Sequence, residues 1–253
     1  MIDLHAHMLP GVDDGAADDE AALALAAAAH AEGVTRLAAT PHLRHDFPDV
    51  HTAELASRTA ALQERLDAAG VALTVVSGGE VDLVWAEHAT DEQLRQASYG
   101  GAGHWLLVET PYAPLTFAFE PMLAGLHGKG FRLLLAHPER NATFQSDPAR
   151  LAGLVERGVH LQVTAASLAD RRRGSASRRL ADALVRDGLA HVIASDRHAA
   201  GDRTGLLDGV RAAERHDARR ARWMVTEAPA AILAGDVPQA PPPARRSWLR
   251  RRG

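Results

Sequence analysis

Cysteine is absent from the chain, which excludes disulfides, thiolate metal sites and every mechanism with a cysteine nucleophile. No apolar run approaches the roughly 20 residues that a membrane-spanning helix requires. The first residues also lack the basic segment and apolar run of a signal peptide. A net charge of −4 gives no indication of nucleic-acid binding. We therefore expect a cytoplasmic protein with no transmembrane segment and no nucleic-acid partner.

What the chain does contain is enough apolar sequence for a large core. It has 253 residues, of which 46% are hydrophobic, and its many alanines and leucines favour helices. Short apolar segments alternate with helical ones, which predicts a parallel sheet covered by helices. Strands are predicted over 2–4, 35–40, 71–77, 104–108, 132–136, 160–163 and 191–194. Helices are predicted over 18–32, 49–69, 91–97, 120–128, 148–157, 175–187, 204–215 and 218–227.

The domain organisation follows from this alternation. Length alone would allow one α/β barrel or two small domains. Seven strands with no domain-sized break favour a single barrel-like α/β domain over residues 1–235, and an open doubly wound sheet is the alternative. Residues 236–253 are rich in proline and then in arginine, which predicts a disordered tail. A weak contact of Trp248 and its neighbouring arginines with a membrane surface or a partner is the alternative for the tail.

Residues that commonly bind metals follow six of the seven predicted strands. In a parallel barrel these strand ends lie on one face, where active sites are built. His5 and His7 are one residue apart, so both imidazoles can point to the same side and share an ion. The other strand-end residues are His42, Glu80, Glu109, His137, Asp196 and His198, and a turn after the first strand carries Asp13 and Asp14. A single such residue usually caps a strand, so the coincidence of many carries the prediction of a metal site.

The residue types also constrain the metal chemistry. Five imidazoles and several carboxylates, without a thiolate, suit Mn, Fe or Zn. Eight or nine ligands are too many for one ion, and a carboxylate such as Glu80 can bridge two ions. The pattern therefore indicates a site with two or three ions, which would activate water at neutral pH and bind a phosphoryl oxygen.

Six short motifs resemble those of the PHP (polymerase and histidinol phosphatase) superfamily. They are DLHAH at 3–7, LPGVDDGA at 9–16, ATPH at 39–42, GE at 79–80, AHPER at 136–140 and SDRH at 195–198. From Met1 to about Leu233, the chain more narrowly resembles the bacterial manganese-dependent protein-tyrosine phosphatases of capsular and exopolysaccharide loci. The resemblance implies a distorted (β/α)7 TIM-like barrel, the PHP fold. It also implies three bound ions, with Mn²⁺ expected first, whereas the residue types alone allow two or three ions of Mn, Fe or Zn.

The resemblance also implies which residues hold each ion. The first ion would be bound by His5, His7, Glu80 and Asp196. The second would be bound by Glu80, Glu109 and His137. The third would be bound by Asp14, His42 and His198, although Asp13 is an alternative to Asp14.

Two arginines are candidates for contacts with the substrate phosphate, because guanidinium geometry matches phosphate oxygens. Arg140 follows His137 closely, and Arg203 follows His198 at a spacing that the family shares. A surface ion pair is the alternative for each. A third basic element, the loop 169–174 with the sequence ADRRRG, either binds acidic parts of the substrate or is a solvated run of charge.

The chain departs from the family pattern at two positions. Arg197 stands where the family usually has alanine, and it either crowds the site or points outward. Leu43 stands where the family usually has a second histidine. Neither change removes a predicted ligand.

The activity implied by the resemblance is hydrolysis of phosphotyrosine, with a bacterial tyrosine kinase that regulates capsular or exopolysaccharide synthesis as the substrate protein. A small-molecule phosphatase of the histidinol-phosphate type or a nuclease would keep the site and change the substrate. A non-catalytic metal-bound scaffold is a third possibility, which the full ligand set disfavours because a structural metal needs no open position. The sequence leaves the oligomeric state open.

Overall fold

Strands and helices alternate throughout the computed structural model, which describes residues 1–172 and 174–241. The strands are β1 Ile2–Ala6, β2 Arg36–Ala39, β3 His42–Leu43, β4 Thr74–Ser77, β5 Glu80–Val81, β6 Trp105–Glu109, β7 Arg132–Ala136, β8 His160–Thr164 and β9 Val192–Ala194. The helices are α1 Asp19–Ala31, α2 Leu55–Ala68, α3 Leu83–His88, α4 Asp91–Ala97, α5 Phe119–Gly128, α6 Ala142–Ser146, α7 Ala149–Glu156, α8 Ala165–Ala169, α9 Ala176–Arg186, α10 Leu206–Trp223 and α11 Glu227–Leu233. Most of the predicted tail, from residue 242 onward, lies outside the described residues.

All the strand pairings are parallel, and they form two sheets. One sheet has the order β1-β2-β4, and the other has the order β3-β5-β6-β7-β8-β9. The strand predicted over 35–40 is thus interrupted at Thr40 and Pro41, where proline has no N–H to donate to a ladder, and it resumes as β3. The strand predicted over 71–77 likewise resumes as β5 after two glycines. These short continuations place His42 directly opposite Glu80 in the sheet.

The first and last strands also meet. Ala6 and Arg197 form a parallel bridge, and the His7 N–H donates to the Arg197 carbonyl at 2.8 Å. The Asp196 N–H donates to the His5 carbonyl at 2.9 Å. The chain segments that carry the first and last predicted ligands are therefore held side by side by backbone hydrogen bonds.

Both faces of the strands are covered, as their nearly continuous apolar sequences predict. In β7, Leu133 and Leu135 belong to the core between strands and helices. Leu134 lies on the other face, where it joins a second apolar cluster with Leu4 of β1 and Val192 of β9. Alternate residues of distant strands thus meet on one side of the sheet.

The helix bounds differ from the prediction where the local sequence signals are weak. α2 begins at Leu55 rather than near residue 49, because a 3₁₀ turn over Thr52–Glu54 precedes it. The break predicted between helices over 204–215 and 218–227 is present, because α10 has non-helical backbone angles at Asp217 and divides there into two helical segments. The helices α3, α6 and α8 were not predicted, because five or six residues are too few to show a clear helical period. Among the helices of the described ranges, none is both long and apolar enough to cross a membrane.

A buried ion pair ties the end of β9 to two helices. The Arg197 side chain is only 4% exposed and pairs with Glu32, which caps the end of α1. The second carboxylate oxygen of Glu32 accepts a hydrogen bond from the Leu207 N–H, 3.1 Å away, at the start of α10. A Cβ atom at position 205 would lie 1.9 Å from that carboxylate, so a larger residue in place of Gly205 would displace Glu32 from these contacts. Arg197 therefore neither crowds the predicted site nor points to solvent.

We expect Glu32→Ala to lower the free energy of unfolding by about 3 kcal/mol, because it leaves the buried Arg197 guanidinium without its carboxylate. Urea denaturation in the presence of EDTA measures this without a contribution from bound metal. Arg58→Ala, which breaks the exposed pair with Glu54 on α2, is the control and should cost less than about 1 kcal/mol. Equally small losses in the two variants would contradict a structural role for the Arg197 pair.

Candidate metal centre

The nine predicted ligands converge at the C-terminal ends of the strands. Their nitrogen and oxygen atoms form four overlapping groups, in each of which all ligand atoms lie within 4.8 Å of one another. The groups are His5, His7 and Asp196; His5, Glu80 and His137; His42, Glu80 and Glu109; and His7, Asp14, His42 and His198. The overlap shows one continuous cluster rather than separate sites.

β1 supplies the first pair of imidazoles. His5 and His7 are both buried, and their Nε2 atoms lie 3.2 Å apart. The Asp196 carboxylate faces them both, with Oδ1 at 3.3 Å from Nε2 of His5 and 3.4 Å from Nε2 of His7. These three side chains come from the two chain segments that the Ala6–Arg197 bridge joins. The spacing of one residue between the histidines thus produces the shared orientation that the sequence predicts.

Glu80 lies at the centre of the cluster. Its Oε1 is 2.8 Å from Nε2 of His137, and its Oε2 is 2.9 Å from Nδ1 of His42 and 3.4 Å from Nε2 of His5. Burial alone would raise the pKa of Glu80, but the facing imidazoles, His5 foremost, hold that pKa well below its usual range. Glu80 is therefore an ionised, buried carboxylate with both oxygens directed into the cluster.

The pKa of Glu109, at the end of β6, is shifted in the opposite direction to that of Glu80. Burial first, and then the charge of Glu80, raise the pKa of Glu109 to about 7. Two buried carboxylates that face the same imidazole repel each other, and a divalent cation between them removes that repulsion. The pair formed by Glu80 and Glu109 thus fits a metal ion.

Several buried polar atoms of the cluster have no hydrogen-bond partner within the described residues. They include Nδ1 of His42, Oε2 of Glu80 and Oε2 of Glu109, which approach one another without hydrogen-bonding geometry. Buried polar atoms in proteins nearly always have a partner, so unsatisfied atoms of this kind require an explanation. Imidazole and carboxylate donors without a thiolate match the preferences of Mn, Fe and Zn. The residues present therefore fit a cluster of divalent ions.

The backbone is strained at two of the predicted ligands. His137 has φ of 37° and Asp196 has φ of 54°, and they alone among the described non-glycine residues have positive φ. Such left-handed conformations cost on the order of 1–3 kcal/mol each and concentrate at functional sites. Both residues follow the last residue of a buried strand closely, where the turn must direct a side chain inward.

The two carboxylates of the first turn have different partners. Oδ2 of Asp13 accepts hydrogen bonds from Nδ1 of His7, at 2.7 Å, and from the backbone N–H of His42, at 3.0 Å. Oδ1 of Asp14, which is 54% exposed, lies 3.4 Å from Nε2 of His198 and 3.6 Å from Nε2 of His42. The geometry thus favours Asp14 as the ligand, and Asp13 as the residue that orients His7.

A second orienting contact was not predicted from the sequence. Nδ1 of His5 donates to Oε1 of Gln162, 3.0 Å away in β8. Fixing the second nitrogen of a ligating histidine in this way sets its tautomer and ring position. β8 is the one predicted strand that ends without a ligand, and it supplies this support instead. The glutamine shows no local sequence signal for the role, because only the sheet places it beside His5.

The three arginines near the strand ends lie in different surroundings. Nη1 of Arg140 donates to Oδ2 of Asp196 at 2.6 Å, so this side chain reaches the edge of the cluster. Nη1 of Arg44, which the sequence interpretation missed, donates to Oε1 of Glu109 at 2.9 Å. Its position two residues after His42 was the available signal. Arg203 is exposed and has no hydrogen bond or ion pair to the nine ligands in the part of the chain that is described; it lines a separate cavity instead.

Two aromatic rings that the sequence interpretation also missed stack on outer ligands. The centroids of the Phe47 and His42 rings lie 5.2 Å apart, and the two ring planes make an angle of 10°. Tyr112 is 64% exposed. The centroid of its ring lies 6.2 Å from that of His137, and the two ring planes make an angle of 17°. Leu43, by contrast, is fully buried in the core, because successive strand residues point to opposite faces. Two aromatic side chains, Phe47 and the exposed Tyr112, therefore lie beside the cluster at His42 and His137.

Known proteins resemble this chain over most of its length. Tyrosine-protein phosphatase YwqE of Bacillus subtilis is 33% identical over 198 residues, which cover 78% of this chain and 77% of YwqE. Tyrosine-protein phosphatase CpsB of Streptococcus pneumoniae is 22% identical over 248 residues, which cover 92% of this chain and 98% of CpsB. These alignments cover most of each chain rather than a single motif.

Structural comparison gives the same result. A crystal structure from the pair YwqE of Bacillus subtilis and CpsB of Streptococcus pneumoniae, both metal-dependent tyrosine phosphatases, matches with a TM-score of 0.83 and 28% identity. The match covers 96% of this chain and 98% of that chain, so the α/β fold is shared along the whole length. The family model for capsular polysaccharide synthesis proteins, CpsB/CapC, matches residues 1–234. The resemblance drawn from the sequence motifs is thereby confirmed, and this chain belongs to the CpsB/CapC family.

Proposed function

We propose that this protein is a metal-dependent protein-tyrosine phosphatase whose substrate is a bacterial tyrosine kinase of capsular or exopolysaccharide synthesis. The observation that carries the proposal is the cluster of nine imidazole and carboxylate side chains, centred on Glu80, with unsatisfied atoms directed inward. Membership of the CpsB/CapC family supports the choice of a phosphotyrosyl protein over a small phosphate ester or a nucleic acid.

We assign the ligands to three Mn²⁺ ions. His5, His7, Glu80 and Asp196 would hold the first, and Glu80, Glu109 and His137 the second. Asp14, His42 and His198 would hold the third, at the more exposed side of the cluster. Bound divalent ions supply Lewis-acid stabilisation of phosphoryl charge and lower the pKa of water at the site. The imidazole and carboxylate donors suit Mn²⁺, Fe and Zn alike, and Mn²⁺ is put first because the phosphatases that the motifs resemble are manganese-dependent.

The protein's own side chains then bind and orient the phosphate ester. Arg140, at the edge of the cluster, has guanidinium N–H groups in addition to the one bound to Asp196, and these would donate to phosphate oxygens. Arg44 fixes the carboxylate of Glu109. Tyr112 and Phe47 offer apolar ring faces beside the outer ligands, which suits a phenolic ester more than an aliphatic one. Arg203 remains a predicted phosphate contact.

The finer features of the fold belong to the same proposal. We take the seven predicted strand positions to form a distorted (β/α)7 barrel within one domain over residues 1–235, followed by a disordered tail. The bridge between Ala6 and Arg197 supports this arrangement, because it joins the first and last strand segments. The apolar cluster shared by Leu4, Leu134 and Val192 is what a barrel interior would contain. The proposal also includes a cytoplasmic location.

Metal dependence is the most direct test. With Mn²⁺, the purified protein should hydrolyse p-nitrophenyl phosphate and lose that activity to EDTA, because the proposed chemistry needs the cation. His137→Ala should lower metal content and turnover together. An inactive protein that carries its full metal content would contradict the proposed function, and normal turnover in His137→Ala would contradict the ligand assignment.

The two carboxylates of the first turn should differ when each is changed alone. Asp14→Asn should lower the bound metal by about one ion per chain, because Asp14 faces His42 and His198. Asp13→Asn should weaken metal affinity roughly 10- to 100-fold and recover its metal at excess Mn²⁺, because Asp13 only orients His7. Elemental analysis over a range of Mn²⁺ concentrations distinguishes the two patterns. A reversal of the patterns would make Asp13 the ligand.

Arg140→Ala should lower kcat/KM for p-nitrophenyl phosphate by about 10- to 100-fold, because it removes charge-assisted hydrogen bonds to the phosphate. Metal content should stay at the level of the unchanged protein. Arg140→Lys keeps the charge but loses the forked geometry, so it should recover only part of the rate. Equal rates in the alanine and unchanged proteins would exclude a phosphate contact.

A further inference from the structure

A large cavity lined by arginine lies outside the metal centre. It has a volume of about 890 Å³ and is bordered by α8, the loop after it, α9, the loop before α10, and α10 itself. Its arginines are Arg171, Arg172, Arg178, Arg203, Arg211 and Arg215. Only two carboxylates, Asp170 and Asp208, share the lining, and we refer to this feature as the arginine cavity.

Half of these arginines have no ionic partner within the described residues. Arg172 pairs with Asp170 at 2.9 Å, while Arg178 and Arg215 lie 3.5 and 3.6 Å from Asp182. The side chains of Arg171, Arg203 and Arg211 make no hydrogen bond or ion pair with any of residues 1–172 and 174–241. In a chain whose net charge is −4, this local excess of cations attracts anions selectively.

Part of the lining of the arginine cavity follows the same ends of the strands that carry the metal centre. α8 follows the C-terminal end of β8 directly, and the loop with Arg203 follows β9 and the ligand His198. Arg203 is five residues from His198, so their Cα atoms are at most roughly 18 Å apart. An extended peptide rises about 3.3 Å per residue, so that distance corresponds to about five residues.

We infer that the arginine cavity binds an acidic segment of the substrate protein, within about six residues of the phosphotyrosine that enters the metal centre. This inference rests on the proposed phosphatase function and specifies its substrate further. The volume suits several side chains rather than one anion, and planar guanidinium groups bind carboxylates and phosphates in two-point fashion. Glutamate, aspartate or a second phosphotyrosine would supply the required charge.

The test compares two phosphotyrosyl peptides with the same central residues, one flanked by aspartate and glutamate and the other by serine and glutamine. The unchanged protein should show a KM about tenfold lower for the acidic peptide, at similar kcat. The double variant Arg171→Glu/Arg211→Glu should lose this preference and keep its turnover of p-nitrophenyl phosphate, which has no flanking residues. Neither arginine has a described ionic partner to lose.

The matched control is the double variant Arg36→Glu/Arg157→Glu, which changes net charge equally. Arg36 begins β2 and Arg157 lies before β8, so both exposed side chains are at the opposite ends of the strands. The control should retain the preference for the acidic peptide. An equal loss of the preference in both double variants would attribute it to overall charge and overturn the inference. The inference would also be overturned if the unchanged protein showed no preference for the acidic peptide.

Failure of the phosphatase proposal would be seen separately. Without turnover of p-nitrophenyl phosphate in Mn²⁺, the proposed function fails, and the arginine cavity is then tested by fluorescence anisotropy with an unphosphorylated acidic peptide. Binding that is lost in Arg171→Glu/Arg211→Glu and retained in the control supports an acidic-segment site. Binding of heparin without binding of the peptide would assign the cavity to a polysaccharide and overturn the inference.

Discussion

The ionised carboxylate of Glu80 is the group around which the structure is organised. It is buried, and it faces imidazoles that arrive from β1, β3 and the turn after β7. An isolated carboxylate at such a depth would be strongly unfavourable, so its presence requires positive partners on several sides. The interruption of two strands and the contact between the first and last strand segments both serve to bring those partners to it. The fold therefore positions the imidazoles that stabilise the buried Glu80 carboxylate, and the same side chains form the metal centre.

The sequence was informative about the centre because parallel strands end on one face. Strand ends can be recognised from short apolar runs, so the convergence of His42, Glu80 and His137 could be predicted without any long-range contact. The choice between Asp13 and Asp14 could not, because both lie in the same turn and either could reach an ion. The choice depends on the partners of each carboxylate in the fold. Asp13 accepts a hydrogen bond from the backbone N–H of His42, which only the structure shows.

Other features depended on contacts between residues that are far apart in the chain. Gln162 supports His5 across 157 positions, and Arg197 meets Glu32 across 165. No local pattern distinguishes such a glutamine or arginine from a surface residue. Tyr112 and Phe47 were missed for a related reason, since an aromatic residue in a loop is assigned to the core or the surface by default. The predicted helix bounds were wrong where capping and periodic signals were weak, as at the start of α2.

The left-handed backbone at His137 and Asp196 has a consequence for how the protein acquires its ions. Glycine would relax the chain at either position but would remove a donor atom, so ligand chemistry and backbone preference oppose each other there. The fold holds these two side chains in place against local strain and against the mutual repulsion of Glu80 and Glu109. Loading of cations relieves the repulsion, so the folded state and the occupied centre stabilise each other. The folding equilibrium of the protein is thereby sensitive to the cellular supply of its metal.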